Sequence, residues 1–591
     1  MSKKYNDEVL ARALARVTDV SSEYDSMISN RRKKWLDWYK MYRLFRTEKV
    51  QPWMSKLFIP KVFEIIEQKV PMMIAHNPQY VITARLNENL PYMGILRDYL
   101  GYVWDEEDMN SKIESWVKDM LIYGTAIGKV DWKQITGMET STEETIDEIT
   151  GETISEEIEE EVVKLETPTF QTIDIFDFKT DPRFDTLEES EANIHERDDV
   201  PYSELLADED MYFNLDKVDP KGIPAESSDT SEKEEKRSSL GISTPGKDLD
   251  ETRLNIKEYW GTFSITGKPK DEAEYVITTV NDHTVIRMEK NDMNMRPFIA
   301  VKARVVPHEF YAIGEVEPLE DLQIELNTLR NQRMDYTNSI LNPEWIMSTS
   351  SGINPSQLIH KPNNIILTDD MNGIRTLPKD GVPAAGYNEE AQILRDMQTI
   401  SQTTDVTDGG GSQGFQNTAT GVAARVEQQT RSSNNVVKHL EKGIADIGRK
   451  FLLLAKYNVT EPMQIRREDL QAPEKVKFTQ IEPSIFKDVE NGFIIRVEAG
   501  STMEGTYQER GNKAVARGNT AVQFVQAGVP IDMTKIWTDI EKKTFMTANP
   551  EDYLKEPEPA PEQGMPGEEG APPPEDPNAK LQLQPTLPPG V

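Results

Sequence analysis

Cysteine is absent from the 591 residues, which excludes disulfides, thiol catalysis and cysteine-ligated metals. Long apolar runs are absent too. The most notable aliphatic cluster is FLLLA at 451–455, far short of the roughly 20 residues that span a bilayer, so no membrane partner is expected. The opening MSKKYNDEVLARALARV has no apolar signal core, and the expectation is a soluble protein made in a cytoplasm. Histidine is scarce: His76, His195, His283, His308, His360 and His439 are scattered, none at metal-ligand spacing from another. No G-x-x-x-x-G-K-S/T occurs, because ITGKPK and PGKDLD lack both the spacing and the hydroxyl. H-E-x-x-H, G-x-S-x-G and the kinase motifs are missing as well. The pair Asp369 and Asp370 reads as a solvated turn rather than an ion site. No catalysis, cofactor or metal is expected.

Positive charge is the other shortage. Lysine and arginine number 67 against 102 acidic residues, a net charge of −35. Taken whole, such a chain repels DNA, since tight nucleic-acid binding needs a basic face. The excess is concentrated. Residues 139–166 hold 12 acidic residues and 1 basic, and residues 551–591 hold 9 and 2. Eleven of the last 41 residues are proline, a composition that predicts a disordered tail.

At this length several modules are expected, because single cores stop growing near 250 to 300 residues. The first thirty residues read as a loose helix. RRKKWLDWYKMYRLF (31–45) then sets Trp35, Trp38, Tyr42 and Phe45 three or four apart, one face of a helix. Aromatics among basic residues can stack on nucleic acid, but packing inward is the favoured reading. LFIPKVFEIIEQKVPMMIAHNP and DYLGYVWDEEDMNSKIESWVKDMLIYGTAIGKVDW continue as helices, the latter turning into a strand at Ile127–Trp132. Residues 137–168 suggest a hairpin with Gly151 at its turn. Strands flank a turn at Asp181 and Pro182, and Asn281–Asp282 marks a further hairpin. Residues 215–250, rich in Ser, Lys, Glu and Pro, read as a linker or a loop ordered on assembly.

The pattern then changes. In residues 315–342, Leu319, Leu322, Leu326, Leu329, Tyr336 and Ile340 recur at spacings of three and four, with Arg333 breaking the row. Such a helix is about 40 Å long. Short extended pieces follow around Trp345–Met347, Ile365–Leu367 and Ile374–Leu377, then a second helix at 388–402. TDVTDGGGSQGFQNTATGV (404–422) sets a polar, glycine-tripled loop directly against a helix over 418–457, whose apolar face would run about 60 Å. Connections between helices are commonly about 2 to 8 residues, so this one looks selected for a task.

The run FYAIGEVEPLEDLQIELNTLRNQRMDYTNSILNP, a small β insertion, a return helix, the glycine loop and TATGVAARVEQQTRSSNNVVKHLEKGIADIGRKFLLLAKY resemble, in that order, the portal proteins of tailed bacteriophages. RRKKWLDWYKMY with KLFIPKVFEIIEQKVP, then DIFDFKTDPRFDTLEESEANIHER and IKEYWG, are similar to the same family. The matching pieces run from about Trp35 to about Tyr457, with weaker similarity in GVPIDMTKIWTDI and NPEDYL.

The resemblance implies an α+β, portal-type fold. Residues 1–314 would be a wing, 315–342 and 388–402 the stem helices, 343–380 a small β clip, and 404–416 the tunnel loop. Residues 418–457 would be the long helix behind it, 458–550 the wing return and a short crown, and 551–591 the disordered tail. It also implies a ring, usually of twelve copies, at one capsid vertex of the virion, assembled in the host cytoplasm, through which double-stranded DNA enters and leaves. Implied partners are the terminase motor, the head-tail adaptor, the major capsid protein and, as a further candidate, a scaffolding protein. The clip residues Trp345, Ile365, Ile366, Leu367 and Ile374 would serve docking.

In such a ring Asp405, Asp408, Gly409, Gly410, Gly411, Ser412, Gln413, Phe415 and Asn417 would face the axis. Glycine lets that backbone adjust, and the polar side chains offer weak, sequence-blind hydrogen bonds. The stretch holds no lysine or arginine, which suits a duplex that must slide. Phe415 would act as an anchor or a constriction. Two other readings stay open: a packaging enzyme, against which the missing phosphate loop argues, and a capsid or scaffolding-type shell protein.

Overall fold

A computed structural model describes residues 5–45, 51, 54–146, 153–207, 211–218, 230–241, 253–293, 295–342, 344–349, 372–377, 384–403, 419–467, 477–498, 504–526 and 532–544. The N-terminal stretch is one helix, α1 (Asp7–Tyr42), where a loose segment and a separate helix were expected. Its apolar row persists throughout: Leu10, Ala13, Val17, Val20 and Tyr24 are buried, as are Ile28, Trp35 and Trp38 farther along. The basic-aromatic stretch therefore turns its two tryptophans inward. Helix α2 (Lys61–Met73), strand β1 (Tyr80–Ala84), α3 (Tyr92–Glu106) and α4 (Met109–Tyr123) follow. Gly124 ends α4 at φ 87°, a left-handed angle open to glycine, close against the Ala312 carbonyl.

Strands β2 (Thr125–Ile146) and β3 (Thr153–Ile173) form one long antiparallel ribbon, paired from Ile127–Ile173 out to Ile146–Thr153. Gly151, the expected turn residue, lies outside the described residues. Then come β4 (Phe178–Thr180), β5 (Ala192–Pro201) and a short helix α5 (Tyr202–Ala207). Residues 230–239, read from composition as linker, form a helix, α6 (Thr230–Ser239). Its holding contacts are ionic, which a search for apolar periodicity cannot register. Strands β6 (Arg253–Ser264), β7 (Glu272–Val280) and β8 (Thr284–Lys290) complete a five-stranded sheet in the order β4-β5-β6-β7-β8. Asn281 and Asp282 both take positive φ, 51° and 55°, the two-residue hairpin turn their sequence signalled. Strand β9 (Phe298–Lys302) pairs with the base of β2.

Helix α7 (Glu320–Leu341), strands β10 (Trp345–Met347) and β11 (Ile374–Thr376), helix α8 (Ala384–Ser401) and the 40-residue α9 (Ala419–Asn458) follow. The chain closes with β12 (Met463–Arg467), β13 (Lys477–Ile481), α10 (Val489–Gly492), β14 (Phe493–Val497), α11 (Glu504–Gln526) and α12 (Met533–Thr544). Every described strand pairing is antiparallel. Helices and antiparallel sheets in separate runs make the chain α+β.

The main core gathers the end of α1 with α2, α3, α4, the base of the ribbon, the start of α7, and α8 and α9. On α9 its members include Val437, Leu440, Ile444, Ile447 and Phe451. Gly443 and Gly448 sit on that helix against Val301 and Tyr80, where an added Cβ would collide, so α9 lies unusually close to the sheet. A second core joins the first half of α1 to one face of the five-stranded sheet through Ile194, Tyr259, Phe263 and Ile277.

Candidate functional site

Two helices leave the main core together. At its start α7 is anchored by Leu319 and Leu326, both 0% exposed, with Leu322 and Leu329 packed on the same core. Trp38 of α1 donates its indole N–H to Glu320 at 2.8 Å. Farther along, Tyr336 and Ile340 are half-buried, and Leu341 at the distal end is 71% exposed. The return helix α8 is held at its core end by Ile393 and Met397. Between these contacts sits an ionic clamp. Glu390 of α8, itself buried, pairs with both Arg330 and Arg333 of α7. Arg333 also lies over the Tyr387 ring at 4.3 Å. The residue that interrupts the apolar row of α7 is thus one of those that fasten it to α8.

A second row on α7 escaped the sequence reading. Gln323, Asn327, Asn331 and Asp335 recur every four residues and bind the extended segment before α2. The backbone N–H groups of Val62, Ile59, Leu57 and Ser55 donate to them in that order, at 3.1, 2.9, 2.7 and 2.6 Å. Gln323 and Asn331 return their amide protons to the Ile59 and Leu57 carbonyls at 2.8 and 2.9 Å. The spacing has a simple cause. Four helical residues rise about 6 Å, and two extended residues advance about 6.6 Å, so Ile59, Leu57 and Ser55 meet successive turns of α7, while Gln323 meets Val62 in the first turn of α2. A polar residue every four positions beside an apolar row was the available signal.

At the far end, β10 and β11 pair within the chain, Trp345 opposite Thr376, Ile346 opposite Arg375 and Met347 opposite Ile374. Leu377 donates to Glu344 and Ser348 to Gly373, both at 2.8 Å. Two of the three short extended pieces thus pair with each other within the chain. Trp345 and Ile346 are 49% and 56% exposed, and Ile374 is half-buried. Ile365, Ile366 and Leu367 lie outside the described residues. So do Asp405, Asp408, Gly409, Gly410, Gly411, Ser412, Gln413, Phe415 and Asn417.

Where α8 ends and the buried part of α9 begins, a cavity of about 350 Å³ is lined by Lys69, Arg304, Glu315, Gln402 and His439. Glu315 accepts from Lys69 and Arg304, each at 2.8 Å. Burial pushes the Lys69 ammonium down against the pull of Glu315. Burial, then Lys442 and Lys302, push His439 below its ordinary range. Here one carboxylate, Glu315, is claimed by two cations, Lys69 of α2 and Arg304 from the segment after β9.

The chain thus presents a long helix pair, α7 and α8, carrying a small distal β unit and followed by the 40-residue α9. Residues 95–587 match the family model described as Phage SU10 portal protein. The match covers most of the chain, which belongs to this phage portal protein family. No described helix is long and apolar enough to cross a membrane.

Proposed function

We propose that copies of this chain close into a ring at one capsid vertex, forming the channel for double-stranded DNA packaging and ejection. The observation that carries this reading is the gradient along α7, joined to the family match. Leu319 and Leu326 are fully buried at the core end, yet Leu341, Trp345 and Ile346 stand open at the distal end. Contiguous exposed apolar residues mark a surface that another molecule covers. In a ring, α7 and α8 act as stem, the β10–β11 unit as the clip that docks the packaging motor and later the tail adaptor, and residues 404–416 as the tunnel loop.

The remaining elements form the wing, against which the major capsid protein packs. The chain performs no chemistry of its own; it holds, lines and docks. An acidic channel whose loop carries no lysine or arginine suits that task, because a duplex that must slide is poorly served by basic walls.

The test is electron microscopy of the purified chain beside its Leu341→Ser, Trp345→Ser, Ile346→Ser variant. Closed rings with an opening that admits a B-form duplex support the reading. Wild-type protein that forms no annulus, or one too narrow for a duplex, overturns it. The variant is expected to form folded subunits with impaired closure or impaired binding of the motor. If it does both normally, the distal surface is not the docking face.

A further inference from the structure

Helix α6 reads TSEKEEKRSS and carries no apolar residue. A helix without an apolar stripe has no hydrophobic reason to dock. Two lysines four-fifths or more shielded hold it instead. Lys233 reaches Asp177 at 2.6 Å and Asp198 at 3.0 Å. Lys236 pairs with Asp174, and its ammonium stands over three rings at once: Tyr39 at 4.7 Å, Phe176 at 5.0 Å and Tyr123 at 5.9 Å from their centroids. Glu235 completes the attachment with a 2.5 Å bond from Lys40 of α1.

The rings come from separate elements. Tyr39 is near the end of α1, Tyr123 ends α4, and Phe176 follows β3. Several aromatic faces and a carboxylate around one compact cation form the arrangement that recognises alkylammonium groups. Bare ion pairing would need no rings, and a hydrophobic contact would need no carboxylate.

We propose that Tyr39, Tyr123, Phe176 and Asp174 form an ammonium-selective socket, filled in this chain by Lys236, and that α6 is a reversible clasp tying the end of α1 to the wing. The ligand class is a primary alkylammonium carried on a helix. Ion pairs hold the clasp, and although shielding of Lys233 and Lys236 blunts the screening, molar salt weakens it while leaving the apolar cores in place.

The experiment uses the full chain and Lys236→Ala. Amide exchange over residues 230–239 is expected to rise tenfold or more in the variant, and in wild type between 0.05 and 1 M NaCl. Tryptophan fluorescence should stay unchanged, since Trp35 and Trp38 lie in the core. The vacated socket should then bind butylammonium chloride. That salt should raise the melting temperature of Lys236→Ala beyond its effect on wild type, whereas equal NaCl and neutral butanol should not. Unchanged exchange in the variant overturns the clasp. Equal responses to butylammonium and NaCl overturn the socket's selectivity.

Discussion

Asn331 grips Leu57 on both sides of its Cα: its oxygen accepts the Leu57 N–H at 2.7 Å and its amide donates to the Leu57 carbonyl at 2.9 Å. The side chain is 8% exposed. A polar side chain on α7 thus fixes the path of the chain entering α2.

Asn331→Ala leaves a backbone donor and an acceptor without partners. The expected cost is about 1–3 kcal/mol, read as a lower denaturant midpoint. Gln332→Ala, at an exposed neighbouring position, should change stability by no more than about 0.5 kcal/mol. Equal effects at the two positions would show that the ladder contributes no stability.

Glu390→Gln keeps the shape of the α7–α8 clamp and removes its charge. Arg333, 11% exposed, would keep the Tyr387 face and lose its charged acceptor. A loss of about 1.5–3 kcal/mol is expected for hydrogen bonds to a charged group, with faster amide exchange in α8. Unchanged exchange there would mean that Ile393 and Met397 hold α8 alone.

Glu196 supplies the pH dependence. Burial alone would raise its carboxyl, yet Lys179, Lys233 and Lys257 hold it far below the usual carboxylate range. Lys179, wholly buried, reaches it at 2.9 Å. A carboxylate depressed in the fold contributes stability above its unfolded value, near 4.3, and that contribution is lost as pH falls through the folded value. Wild type should therefore weaken on acidification below about pH 5. Glu196→Gln should be less stable at pH 7 by about 3 kcal/mol, with a flatter profile between pH 5 and 3. A parallel pair of curves would remove Glu196 from the account.

In the β10–β11 pair, Met347 lies at a position whose N–H points away from β11, since Ile346 and Ser348 are the neighbours that face it. Met347→Pro should leave the in-chain pair intact while blocking that outer edge. Impaired ring closure or motor binding is expected if the edge accepts a strand from another molecule. Normal assembly and packaging would show that side chains such as Trp345 do the docking.

Legibility followed chemistry. Aromatic and aliphatic rows at helical spacing disclosed α1, α7 and α9, and Asn281–Asp282 disclosed its hairpin, because apolar burial and positive φ leave marks in residue type. The polar ladder on α7 and the lysines of α6 were hidden, since Gln323, Asn327, Lys233 and Lys236 look like solvated surface until their partners are placed. Those partners are far away in sequence: Ser55 to Val62 for the ladder, Asp174 to Asp198 for α6. Arg333 read as an interruption because its partner, Glu390, is on another helix.

Native mass spectrometry of the full-length chain tests the central claim most directly. A single closed oligomer of one small integer, stable to dilution, is predicted. Monomers alone, or an open and polydisperse ladder of masses, would contradict a ring and return the chain to the shell-protein reading.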